Sequence, residues 1–239
     1  MISFDFKIEN FISKKDAKQA PVVWFVSHCN DYNGRMKYVR MLGRHIGVDI
    51  YGECGDKRCG QTRSMGTRYN ADTDPCFEMV NRRYKFYLSF ENAICRDYVT
   101  EKAYNALKLD TIPVMFGGGD YEEILPPRSY IDALKFPDPA DLADHLYSLL
   151  QDPARFSSYF QWRPHYDVLT HQSVPDNCDL CTGLVTGALA RERTYPDMWA
   201  WLVRGSGCVF TRRAWAVDRF MAVWRTVSEE RAGERGERR

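Results

Sequence analysis

The stretch YKFYLSFENAICRDYVTEK, residues 84–102, sets a strand and a polar loop side by side. Residues 84–90 alternate and are rich in aromatics, the pattern of a strand packed on both faces. Glu91, Asn92, Arg96, Asp97, Tyr98, Glu101 and Lys102 then follow within twelve residues. A turn requires only a few small polar residues. This one carries charges, an amide and a phenol, so a strand that feeds it is expected to deliver chemistry.

Working outward, the neighbouring segments alternate in period. Residues 21–27, PVVWFVS, form an apolar run of strand length, and CNDYNG supplies a loop. From Arg35, the residues Met36, Val39, Leu42 and Ile46 recur at three- and four-residue spacing, which predicts a helix. VDIYG reads as a second strand, and residues 52–75 as a long irregular loop. After the strand at 84–90, residues 99–109 are expected to be helical. TIPVMFGGG is expected to be a strand ending in a glycine turn, and SYIDALKF a short strand. Asp138 caps a further helix, with Pro139 at its first position and Asp141 three residues on. Its inner stripe is Leu142, Ala143, Leu146, Leu149 and Leu150. Strands alternating with helices predict βαβ units, hence an α/β fold with a parallel, doubly wound sheet.

Composition narrows the function classes. The 239 residues suffice for a proper core, as one large domain or one with a small appendage. A net charge of +1 gives no field for nucleic acid. No apolar run approaches the roughly 20 residues of a membrane span. The opening residues carry early acids and no apolar stretch, so they do not read as a signal peptide. The final SEERAGERGERR is charged and apolar-poor, a solvated tail.

In a doubly wound sheet, ligands bind beyond the carboxyl ends of the strands. Three segments bring chemistry there: Ser27, Asn30 and Arg35; Glu91, Asn92, Tyr98, Glu101 and Lys102; and the glycines at 117–119. The set suits a nucleotide diphosphate. Arg35 and Lys102 can neutralise phosphates, and the amides opening the helix after the motif can add hydrogen bonds and a favourable dipole. Glu101 can accept both ribose hydroxyls, and Tyr98 can stack on a base. No Walker or Gly-x-Gly-x-x-Gly fingerprint is present. Taken singly, these residues have blander readings. Glu101 and Lys102 are what any exposed first helical turn carries, and as neighbours they are not expected to pair. A triple glycine is more commonly a plain turn.

The spacing of the whole stretch decides between the two. Phe90-Glu91-Asn92, four residues, Asp97-Tyr98, one residue, and Thr100-Glu101-Lys102 resemble the α1,3/α1,4-fucosyltransferase signature F-E-N-x-x-x-x-D-Y-x-T-E-K. The likeness extends colinearly over residues 20–208, through VVWFVSHCN, GRMKYVRMLGRHIGVDIYGECG, NALKLDTIPVMFGGGDYEEILPPRSYI and FPDPADLADHLYSLLQDPARFSSYFQW. The cysteines of YGECGDKRCG and CDLC resemble the core α1,3 branch of invertebrates and plants, which modifies the asparagine-linked GlcNAc of N-glycans.

This resemblance implies the rest. The fold would be the donor-binding half of a two-domain GT-B glycosyltransferase, a Rossmann-like sheet with flanking helices. The donor would be GDP-fucose, with no cofactor and no metal. Arg35, Asn92, Tyr98, Glu101 and Lys102 would contact it, Glu101 at the ribose, Lys102 and Arg35 at the diphosphate, and Tyr98 on the guanosine side. The acceptor would be an N-glycan on a glycoprotein. The catalytic base would belong to an amino-terminal, acceptor-side domain, which twenty residues before Pro21 do not hold. The chain is therefore expected to be a fragment: residues 1–20 a remnant or linker, 21–208 the donor domain, 209–239 a helical or disordered tail. The place of work would be the Golgi lumen, on a membrane only through an anchor outside this sequence. The alternative is a catalytically inactive GDP-sugar-binding fragment. SYIDALKF departs from the family pattern, which usually carries an extra acidic pair there.

The eight cysteines are Cys29, Cys54, Cys59, Cys76, Cys95, Cys178, Cys181 and Cys208. Close pairs allow disulfides or a metal site, and a secretory enzyme makes disulfides the expectation, Cys178 with Cys181 among them. The five histidines are scattered and read as ordinary. Trp199, Trp201, Trp215 and Trp224 are assigned to the core.

Overall fold

The computed structural model describes residues 20–30, 32–59, 74–169, 178–187, 196–201 and 205–208. The expected remnant before residue 20 and the tail from 209 lie outside the described residues, as do Trp215 and Trp224.

Five parallel strands form one sheet: β1 (Val22–Phe25), β2 (Val48–Tyr51), β3 (Phe86–Phe90), β4 (Ile112–Phe116) and β5 (Ile131–Asp132). Their order is β2-β1-β3-β4-β5. The register pairs Val22 with Val48 and with Phe86, and Phe86 in turn with Ile112. The chain leaves β1 towards one edge and returns past it to β3, so the direction of winding reverses between β1 and β3. That reversal opens a crevice at their carboxyl ends, the ligand position of such sheets.

Period 2 divides the sheet into two faces. Val22 and Trp24 of β1, Phe86, Leu88 and Phe90 of β3, and Ile112, Val114 and Phe116 of β4 pack into one core. It is closed by α1 (Arg35–Leu42), α5 (Pro139–Leu150) and Phe156 of α6 (Pro153–Ser158). Val23 and Tyr87 face the other way, onto Phe77 and Val80 of α2 (Pro75–Arg83) and Ala106 of α3 (Glu101–Leu107). On that face Met115 meets Ala103, Leu107 and Tyr121, the last in α4 (Tyr121–Ile124). Both faces are covered, which is why all five residues of β3 and of β4 are buried. The α/β, parallel, doubly wound expectation holds.

Local expectations were met or displaced for identifiable reasons. Asp138 caps α5 by accepting from the amides of Ala140 and Asp141, and Leu142, Ala143, Leu146 and Leu149 are buried. Helix α2 was not anticipated within the stretch read as a loop and its continuation. Its signals were there: Asp74 accepts from Cys76 N–H, Pro75 opens the helix, and Phe77 and Val80 are three apart. Helix α3 begins at Glu101, two residues later than expected, because Thr100 caps it through its hydroxyl. SYIDALKF yields only the two strand residues of β5, followed by a 3₁₀ turn, Ala133–Lys135, capped by Asp132.

Three disulfides join Cys29 to Cys54, Cys59 to Cys76, and Cys95 to Cys208. The expected Cys178–Cys181 bridge is corrected: both are free, exposed thiols on the first turn of α7 (Cys178–Val185). The other six cysteines are brought together in pairs by tertiary structure, whereas these two share one helical turn. Protein made in an oxidising compartment, denatured without reductant and alkylated, should therefore carry label at Cys178 and Cys181. Peptide mapping that found these two joined would restore the bridge. Trp199 and Trp201 are also corrected, being 70% and 50% exposed rather than core.

Lys85 is an exception within the interior. It lies 7% exposed at the start of β3, its ammonium 5.5 Å from the centre of the Phe156 ring. Burial lowers its pKa from 10.5 to about 8. The unfolded chain then binds more protons between pH 8 and 10.5, so this group makes stability rise with pH through that window. Below pH 8 the penalty is fully present. Lys85→Met should remove this rise of stability with pH, which denaturant titrations at pH 8 and above pH 10.5 would check against the wild type.

Candidate functional site

The loop of residues 91–100 leaves the carboxyl end of β3 and leads into α3. Its foundation is Glu91, which is 1% exposed. The backbone N–H of Glu91 donates to Phe116 at 2.9 Å, extending the β3–β4 ladder by one residue. Its carbonyl accepts from Asn33 Nδ2 at 2.7 Å. Its carboxylate accepts from Thr100 N at 2.8 Å and from Thr100 Oγ1 at 2.9 and 2.8 Å. Lys102 Nζ stands 3.2 Å from the same carboxylate and donates to Thr100 Oγ1 at 2.9 Å. A buried carboxylate is tolerated only when paired and hydrogen-bonded. Here that requirement places Thr100 and Lys102 at the mouth of the crevice.

Lys102 also reaches Glu101 Oε1 at 3.4 Å. The sequence reading held that these neighbours would not pair. Flexibility of the lysine side chain allows the contact across one turn opening, and with Glu101 56% exposed it contributes little. Lys102 therefore sits between two carboxylates, one buried and one in water.

Arg35 opens α1 and is buried beneath the loop. Its Nη1 donates to the carbonyl of Phe90 at 3.0 Å and its Nη2 to that of His28 at 2.9 Å. The guanidinium lies 5.6 Å from the Trp24 ring centre, a cation–π distance. It thus ties the ends of β1 and β3 together at the winding reversal while holding a positive charge there. Tyr98 completes the group. Burial raises its phenol pKa first, then Glu91; Lys102 lowers it, Glu101 raises it and Arg35 lowers it. Tyr98 lies within the electrostatic reach of all four charges. Asn92, the remaining predicted residue, is exposed on the same loop.

The triple glycine is neither a plain turn nor an open cradle. It is buried and forms the bed of the loop. A Cβ on Gly118 would stand 2.0 Å from the carbonyl oxygen of Cys95, and one on Gly119 would stand 2.2 Å from a methyl of Val99. Close approach is the reason for glycine at both.

Two residues were passed over by sequence reasoning. Glu91 stands among the polar residues without a role, though a carboxylate directly after an aromatic-rich strand signals a paired, buried charge. Asn33, 1% exposed, gave no signal beyond a polar loop. Also passed over was the sequence's only Asp-x-Asp triplet, residues 72–74. Asp74 uses its carboxylate as the cap of α2, and residues 72 and 73 lie outside the described residues. Among the described residues no three His, Cys, Asp or Glu come together as a metal-binding group. Among them, too, no helix is long and apolar enough to cross a membrane.

Residues 15–201 match the model of the family described as glycosyltransferase family 10 (fucosyltransferase) C-term. Alpha-(1,3)-fucosyltransferase C of Drosophila melanogaster is 42% identical over 186 residues, 77% of this chain and 40% of that protein. Glycoprotein 3-alpha-L-fucosyltransferase A of the same fly is 37% identical over 219 residues, 89% of this chain and 41% of that protein. The chain thus spans about 40% of the length of these relatives. A crystal structure of an alpha1,3-fucosyltransferase with GDP-fucose superposes on 81% of this chain and 56% of its own, with a TM-score of 0.51 and 19% identity. That likeness bears on the fold, a Rossmann-like half of the GT-B architecture. With the motif, the family model and the relatives in agreement, this chain belongs to glycosyltransferase family 10, the fucosyltransferases, and carries that family's C-terminal domain.

Proposed function

We propose that this domain holds GDP-fucose in the crevice between β1 and β3 and serves the transfer of fucose, with inversion, to a GlcNAc of an N-glycan on a glycoprotein. The observation that carries the reading is that Lys102 is held on the buried Glu91 and Arg35 on the carbonyl of Phe90, which sets two cations at the end of β3 where the winding of the sheet reverses. Lys102 faces the diphosphate, and at 28% side-chain exposure it is accessible to it. Arg35 is buried, with Nη1 and Nη2 on the carbonyls of Phe90 and His28, and contributes its charge from within the fold. Glu101, exposed at the opening of α3, accepts from the ribose hydroxyls, Tyr98 lies along the guanosine, and Asn92, exposed on the same loop, is a further donor contact.

Inverting transfer needs a base on the acceptor hydroxyl and stabilisation of the charge on departing GDP. Arg35 and Lys102 supply the second. The name of the Drosophila relative, a glycoprotein fucosyltransferase, supports the class of acceptor. Three disulfides support a compartment of the secretory pathway, which for this reaction is the Golgi lumen, at its membrane.

The test is to measure, on the full chain of 239 residues, binding of GDP-fucose by calorimetry beside transfer of labelled fucose to a GlcNAc-terminated glycopeptide. Binding of GDP-fucose in preference to a uridine-diphosphate sugar is expected. Failure to bind either nucleotide sugar would sink the donor assignment. The transfer arm separates an enzyme from a module that binds the donor alone.

A further inference from the structure

Residues 205–208 are distant from the motif in sequence and lie against it in space. Cys95, inside the motif's variable stretch, is bonded to Cys208 across a separation of 113 residues. Next to it, Arg96 N–H donates to the carbonyl of Ser206 at 2.7 Å. Gly118 also approaches so closely that a Cβ there would stand 2.0 Å from the Cys95 oxygen. Just beyond, Asp97 turns the chain with φ at 60°, a left-handed conformation that aspartate adopts more readily than most L residues. Cys95 is itself 9% exposed, while Asn92 and Tyr98 on either side of it are exposed. The loop has a buried pivot and two outward-facing ends.

We propose that the Cys95–Cys208 bond and the close packing on Gly118 together clamp the 92–98 loop at Cys95, which makes Cys95 a positioning residue of the nucleotide site. Residues 205–208 then belong to that site without entering it. This rests on the reading of the loop as the GDP-fucose platform. An unclamped loop must be ordered each time a nucleotide binds, and that ordering is subtracted from affinity; a clamped loop has already been ordered in folding. The cross-link works through Asn92 and Tyr98 and touches no reacting atom.

The test compares two disulfides. Cys59–Cys76 joins the loop after β2 to α2, and neither element carries a residue of the site. GDP dissociation constants are measured by calorimetry well below the melting temperature of every variant. Replacing Cys95 and Cys208 together by serine should raise the constant about tenfold or more. Replacing Cys59 and Cys76 together by serine should lower the melting temperature yet leave the constant within about twofold. An unchanged constant in the first variant, or equal weakening in both, overturns the clamp. Where the first variant does not fold, Cys208→Ser decides, since it breaks the bond and leaves Cys95 and Gly118 unchanged. Weaker GDP binding in Cys208→Ser supports the clamp, and wild-type affinity overturns it. Lys102→Ala distinguishes this inference from the reading beneath it. Loss of affinity in Lys102→Ala alone removes the clamp and leaves the site standing; loss in neither removes both.

Discussion

Lys102→Ala should lower the affinity for GDP by about 10- to 100-fold, the cost expected for one charge-assisted contact to phosphate at roughly 1.5–3 kcal/mol. The contact is available because Glu91 and Thr100 already hold the ammonium at the mouth of the crevice, so little side-chain freedom is lost on binding. Inorganic pyrophosphate should suffer equally, because it presents the same charge. Glu101→Gln should behave otherwise: GDP weakens and pyrophosphate does not, since only GDP has a ribose. Calorimetry with the two ligands reads both variants. Undiminished GDP affinity in the two of them would defeat the assignment of the site.

The largest effect on stability is expected at Glu91. Its carboxylate is 2% exposed and collects the Thr100 amide, the Thr100 hydroxyl and the Lys102 ammonium. Glu91→Ala removes the acceptor and leaves those groups in place. Breaking a buried pair from one side costs about 3–5 kcal/mol. Lys102 retains partial access to water, so the lower end, about 3 kcal/mol, is expected, a fall of roughly 6–12 °C in melting temperature. Glu91→Gln keeps an acceptor for Thr100 and should cost less. The decisive measurement is a double-mutant cycle by thermal unfolding. Glu91→Ala should be milder on a Lys102→Met background, because the orphaned cation is then gone. Equal costs on the two backgrounds would mean that the pair does not carry the effect.

Both predictions arise from one stretch, and it shows how much was legible. The alternation of residues 84–90 announced β3, but its all-buried character, Ser89 included, came from the helices that cover both faces of the sheet. The run of polar residues after it announced a site because charges are rarely spent on turning a chain. Arg35, Asn92, Tyr98, Glu101 and Lys102 were named from these patterns and a family motif, and the fold brings Arg35, Tyr98, Glu101 and Lys102 into one electrostatic neighbourhood. Helix α2 had its signals too, an Asp-Pro start and apolar residues three apart, but they lay behind a long stretch rich in glycine and charge.

What the sequence by itself determined is the set of local periods: which residues alternate, which recur at helical spacing, and where caps and glycines interrupt them. These are properties of neighbours along the chain, and they suffice for an α/β sheet and for the chemistry at its strand ends. The tertiary structure alone decided which distant groups meet. Strand order β2-β1-β3-β4-β5 put Arg35 under a loop that begins 56 residues later. Packing of β3 on β4 pressed Cys95 onto Gly118, and the return of the chain brought Cys208 to Cys95 while Cys178 and Cys181 stayed apart on an exposed turn. Pairings of this kind depend on closing long loops, whose cost varies only slowly with length. No spacing of cysteines or charges encodes them, and they exist only once both faces of the sheet have been covered.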